Sequence, residues 1–147
     1  MTGTSAINGA GNGLDNVLIG NSAANRLTGG MGNDTYVLGA GDTVVEAVNA
    51  GIDTIQSSVT HTLATNVENL TLIGTGAING TGNALNNILV GNNAANILTG
   101  STGDDTYVVG AGDTVVESLN AGIDTVQSSV TWTLGANVEH LALTGQP

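Results

Sequence analysis

Four aspartates carry the chemistry open to this chain. Asp34 and Asp53 lie 19 residues apart, and Asp105 and Asp124 repeat the pair. Each follows a glycine, in GGMGNDTYV (29–37) and VNAGIDTIQ (48–56), then in GSTGDDTYV and LNAGIDTVQ. A glycine turn exposes backbone carbonyls, and an aspartate beside it adds a carboxylate. Both are hard oxygen donors, suited to a cation such as calcium, which takes roughly six to eight of them. One turn has too few; two turns stacked one above the other could enclose an ion. Asp42 and Asp113, each in GAGD, offer a further position on the opposite edge, near Asn25 and Asn96. Asn16 and Asn87 precede Asp34 and Asp105 by 18 residues. Asparagine favours turns and forms amide ladders without any metal, so Asn16, Asn25, Asn87 and Asn96 read as ladder positions. Stacked carboxylates repel unless a cation lies between them, so the aspartates read as ligands. Glu46, Glu68, Glu117 and Glu139 read as solvated surface charges.

Stacking of this kind needs an element with a regular rise, and the sequence supplies one. Residues 6–76 align without gaps on 77–147, with about 49 of 71 positions identical. Inside each copy runs a shorter period. From Gly11 the chain divides into GNGLDNVLI, GNSAANRLT, GGMGNDTYV and LGAGDTVVE; after one extra residue, Ala47, comes VNAGIDTIQ. Position eight of each unit is apolar or Tyr: Leu18, Leu27, Tyr36, Val45 and Ile55. Early glycines give a turn, and the alternating last residues give a strand of about three residues with one side chain inward. Two units make a coil of about 18 residues, and stacked coils make parallel sheets. The expected fold is all-β: a right-handed parallel β-roll, or β-solenoid, running as one continuous domain through 1–147. No helical period of ten residues competes. Residues 57–80 keep alternating Val59, Leu63, Val67, Leu70 and Leu72 but lose the glycine frame. They predict wider or irregular coils.

The segment GGMGNDTYV resembles the RTX, or haemolysin-type calcium-binding, nonapeptide at Gly29, Gly30, Gly32, Asp34 and Tyr36. GSTGDDTYV departs once, with Ser101 in place of the second glycine. The resemblance implies a parallel β-roll with calcium in the turns, type I secretion, and folding outside the cell. It implies a ligand set of Gly29, Met31, Asn33 and Asp34 with Gly51 and Asp53. In the second copy the set is Gly100, Thr102, Asp104 and Asp105 with Gly122 and Asp124. Asp42 and Asp113 would add a site.

Composition excludes other roles. Twelve acidic residues against one basic give a net charge of −11. With Arg26 as the sole cation, the chain cannot neutralise a run of phosphates, so no nucleic-acid or anionic-membrane partner is expected. No cysteine is present for disulfides, thiol chemistry or zinc. No apolar run reaches a membrane span of about 18 residues, and MTGTSAING lacks a signal-peptide pattern. No enzyme is expected. Arg26 pairs with Ile97 between copies, His61 with Trp132 and His140 with Asn69, so none belongs to the shared scaffold. Both histidines read as lone surface residues, and Tyr36 and Tyr107 as core fillers. Trp132 reads as an exposed aromatic or as surface variation. Asp104 and Asp105 are adjacent, hence on opposite faces of an extended chain. The function expected is a calcium-binding structural module of a secreted protein: spacer, secretion-folding element or self-assembling unit. The alternative is a carbohydrate-binding accessory module of a polysaccharide-active enzyme. Terminal coils without caps predict head-to-tail association, and such a contact does not close.

Overall fold

In a computed structural model the described residues are 3–145. The first long repeat contributes β1 (Gly9–Ala10), β2 (Val17–Ile19), β3 (Arg26–Thr28) and β4 (Thr35–Leu38). It continues with β5 (Thr43–Val45), β6 (Thr54–Ser57), β7 (His61–Thr62) and β8 (Asn69–Leu72). The second contributes β9 (Gly80–Thr81), β10 (Ile88–Val90), β11 (Ile97–Thr99) and β12 (Thr106–Val109). It ends with β13 (Thr114–Val116), β14 (Thr125–Ser128) and β15 (His140–Leu143). Among the described residues there is no helix, and so none long and apolar enough to cross a membrane.

Every strand pairing is parallel. One wall is an eight-stranded sheet ordered β2-β4-β6-β8-β10-β12-β14-β15. The facing wall is divided into β1-β3-β5 and β7-β9-β11-β13. The chain is therefore a parallel β-solenoid, as the repeat predicts. Strict alternation on short strands places one row of side chains inside. Leu18, Tyr36, Ile55, Leu70, Leu89, Tyr107, Val126 and Leu141 fall in one in-register column along the long sheet. All but the two ends are fully buried. Each aliphatic member contributes about 1.5–3 kcal/mol by leaving water, and a lumen one side chain deep suits a chain with so few aromatics.

The nine-residue frame fails in one unit of each repeat. It puts Val45 inward, whereas Val44 is buried and Val45 exposed. The cause is a shortened coil. Arg26 pairs with Thr43, a step of 17, and the long turn around Ala47 then returns Thr35 to Thr54, a step of 19. The predicted irregularity of 57–80 is present: Thr54 pairs with Asn69, 15 residues on, and Asn69 with Ile88, 19 on. Leu63, Val67, Leu70 and Leu72 are nonetheless buried.

Candidate metal centre

The turns joining the short sheets to the long sheet lie along one edge of the solenoid. There a column of side chains binds coil to coil. The Asn16 amide donates to Asp34 Oδ1 at 2.7 Å, the Asp34 amide to Asp53 Oδ1 at 2.8 Å, and the Asp53 amide to Glu68 Oε2 at 2.8 Å. The second repeat reproduces this: Asn87 to Asp105 at 2.7 Å, Asp105 to Asp124 at 2.9 Å, Asp124 to Glu139 at 2.8 Å. Each carboxylate thus secures the preceding coil with one oxygen. The other oxygen, Oδ2 of Asp34, Asp53, Asp105 and Asp124, is buried with no hydrogen-bond donor.

Sequence reasoning missed the third acid. Strand register sets Thr28 beside Val45, so Gly29 stacks on Glu46, and likewise Gly100 on Glu117. A Cβ on either glycine would overlap the aspartate Oδ2, the tyrosine hydroxyl and the glutamate Oε1. The absent side chain is what makes room for the glutamate. Glu46 is buried, not a surface charge. Its carboxylate, with those of Asp34 and Asp53, forms a cluster whose oxygens lie within 4.8 Å of one another; Asp105, Glu117 and Asp124 form the second. Tyr36 is a core filler as expected, but its hydroxyl also bonds Glu46. Tyr107 Oη and Glu117 Oε1 are buried without a partner. Glu68 and Glu139 serve as the acceptors at the foot of each column. The signal lay in the sequence: GAGDTVVE occurs once in each copy, and its glutamate replaces the glycine of neighbouring turns.

Electrostatics follow from this crowding. Burial, reinforced by the charges of Glu46, Glu68 and Asp34, pushes Asp53 up to about 6 despite the stabilising Asp34 amide. Burial and the charges of Asp124, Glu117 and Asp104 push Asp105 up to about 7, against the Asn87 amide. Asp124 and Glu117 are raised, chiefly by burial. Burial and the bond to Glu46 raise the Tyr36 phenol. A group of like charges held out of water is untenable unless protonated or neutralised.

The opposite edge is differently arranged. Asp42 Oδ1 accepts from the Asn25 amide at 2.8 Å and its Oδ2 from the Gly39 amide at 2.9 Å. Asp113 does the same with Asn96 and Gly110, both at 2.8 Å. Both oxygens are satisfied, and no second carboxylate joins them. The four asparagines do not form the side-chain ladders expected of them, because their stacked neighbours are aspartates or backbone. Asn25 Nδ2 donates to the Ile7 carbonyl at 2.6 Å and Asn96 Nδ2 to that of Ile78, also at 2.6 Å. The Oδ1 atoms of Asn16, Asn25, Asn87 and Asn96 cap turn amides of their own coils.

Among the remaining sequence-chosen ligands, Asn33 and Asp104 direct their side chains outward, where Oδ1 accepts from Ile52 and Ile123 amides at 2.8 and 2.9 Å. Met31 is exposed, and its amide donates to the Asn12 carbonyl; the Thr102 amide donates to that of Asn83. Gly51 and Gly122 pass so close to Gly32 and Gly103 of the preceding coil that a Cβ would strike their carbonyls. Gly30 and Gly32 adopt φ of 110°, and Ser101 is held at 89°, a conformation suited to the glycine it replaces. Arg26 is exposed. His61 is half-buried rather than fully on the surface: its register with Gly80 and Leu98 sets it on the inward face, and burial lowers its pKa. Its counterpart Trp132 packs against the core at the far end.

The donor set suits calcium. It consists of hard oxygens only, and the buried acceptors lack donors. Residues 10–45 and 81–116 match the RTX calcium-binding nonapeptide repeat, in four copies. A curated relative, the endo-1,3-1,4-beta-glycanase ExsH of Rhizobium meliloti (strain 1021), is 36% identical over 89 residues. That alignment covers 59% of this chain and 17% of the relative, so the chain spans a small part of that protein's length. No solved structure matches the chain.

Proposed function

From a chain of RTX calcium-binding nonapeptide repeats forming a β-roll, we propose a module of a secreted bacterial protein that folds on meeting extracellular calcium. One observation carries this reading. Four stacked aspartates, each no more than 1% exposed, hold an oxygen in the interior with no donor. The ions belong between Asp34 and Asp53 and between Asp105 and Asp124, with turn carbonyls completing the shell. Without calcium the buried charges oppose the fold. With it, binding free energy becomes folding free energy. Sites of extracellular modules bind at about 10⁻⁴–10⁻³ M, so the chain stays open for export in a calcium-poor cytosol and closes outside. The test is circular dichroism during a calcium titration: disordered in chelator, β at millimolar calcium. A β spectrum that survives calcium removal at neutral pH overturns the proposal.

The module is architectural, and its shape fits a spacer. A second reading, an accessory part of a polysaccharide-active enzyme, is supported by the glycanase relative. The charge of −11 disfavours an acidic glycan ligand. Binding to neutral β-glucan in affinity electrophoresis tests it.

From the repeat we also infer a self-association. Inside the chain, β8 pairs with β10 as Asn69 with Ile88, Leu70 with Leu89 and Thr71 with Val90. Their equivalents at the two ends are β15 and β2. Leu141 and Leu143 are 38% and 69% exposed, whereas Leu70 and Leu72, which the junction covers, are 0% and 2%. A second copy docking His140–Ala142 on Val17–Ile19 would repeat the internal junction and propagate head to tail. Sedimentation of the calcium-loaded protein decides: a monomer at high concentration rules it out.

A further inference from the structure

We propose that Glu46 and Glu117 are direct calcium ligands and that Tyr36 and Tyr107 stand beside the ions, so that each centre faces the solenoid lumen and is closed by a third carboxylate from the following turn. This rests on the reading above, that the ions sit at the paired aspartates, and extends it to residues outside the nonapeptide motif.

Geometry carries it. The glutamate carboxylate projects into the space that Gly29 or Gly100 leaves vacant, against the inward Oδ2 of Asp34 or Asp105. Three acids then converge within 4.8 Å in each repeat. In the second repeat the Tyr107 hydroxyl, on a residue with no exposure, and Glu117 Oε1 are left without partners beside Asp105 Oδ2, which also has none. Three carboxylates beside the turn carbonyls give each centre the many oxygen ligands that calcium takes, whereas magnesium keeps several of its waters. The two clusters arise from the same register, so the described residues hold two corresponding three-carboxylate centres. A coil lacking such a glutamate cannot close its centre in this way; in the following coil the register sets Leu63 beside Gly82.

Terbium, a hard cation of similar size that tyrosine sensitises, provides the test. The experiment uses the full chain with Trp132→Phe as background, so that emission reports tyrosine alone. The luminescence lifetime in H₂O and D₂O counts the waters on the ion. With Glu46→Gln and Glu117→Gln together, the expected result is about tenfold weaker binding or more, with additional water on each remaining ion. Tyr36→Phe with Tyr107→Phe should abolish sensitised emission while two ions still bind by equilibrium dialysis. An unchanged affinity and water count in the glutamine variant overturns this inference while leaving the aspartate sites standing. Failure of the parent reading looks different: Asp34→Asn with Asp105→Asn would then still bind two ions.

Discussion

The two edges of the solenoid are built from similar turns and behave in opposite ways. On each, an aspartate accepts the backbone amide of the coil before it: Asp34 from Asn16, Asp42 from Asn25. They differ in the second oxygen. Asp42 turns it to the Gly39 amide three residues upstream, closing a small local loop. Asp34 turns it into the lumen, where the neighbours are Glu46 and Asp53. A buried acceptor with a donor is a cap that functions unaided; a buried acceptor facing other acids is half of a site. Counting aspartates cannot separate the two. Counting the donors available to each oxygen can.

The comparison breaks most visibly when the lumen-facing acids are removed. Asp34→Ala combined with Asp105→Ala should leave the chain without cooperative folding at millimolar calcium, followed by circular dichroism. Normal folding of that variant would make the two edges equivalent after all.

Proton concentration should reproduce part of the effect of calcium, on one edge only. Asp53 at about 6 and Asp105 at about 7, with Asp124 and Glu117 also raised, bind protons more tightly folded than unfolded. Their contribution to the stability of the metal-free fold is therefore full below the unfolded pKa of about 4 and is lost as pH rises through about 6–7. Calcium-free protein should gain β structure between pH 8 and pH 5. Calcium competes with those protons, so its affinity should fall over the same window. A metal-free form more structured at pH 8 than at pH 5 would contradict the arrangement of the lumenal acids.

A smaller effect is expected across the molecule. Asp42→Ala removes acceptors from two backbone amides and should cost about 1–3 kcal/mol, yet the chain should still bind two ions by equilibrium dialysis. Loss of an ion would place a site on that edge. The smallest change sharpens the contrast between repeats. Ser101, at φ of 89°, occupies a position where the first repeat has Gly30. Ser101→Gly should stabilise the calcium-bound fold by about 1 kcal/mol, read as a rise in melting temperature.

Much of this was legible in the residues. The nonapeptide period with its inward apolar position gave the parallel solenoid, and the 19-residue spacing placed Asp53 against Asp34. Both are local matters, set by glycine at turns and by alternation along strands. The errors share one cause. Val44 rather than Val45 faces inward because a coil shortened by one residue shifts the side chains of that strand to the other face, until the extra residue of the next turn restores the register. Glu46 was assigned to the surface because it falls at position nine, which the unshifted frame faces outward; the same shift turns it inward beneath Gly29.

What the sequence determined by itself was the repeat, and with it the coil, the sheets and the oxygen chemistry of the turns. What only the tertiary structure decided was which oxygens remain without donors. That depends on the register of one coil on the next, which sets Glu46 beneath Gly29 and Tyr36 beside both. Stacking brings together residues from separate coils, and a carboxylate's fate rests on the donors that happen to surround it there.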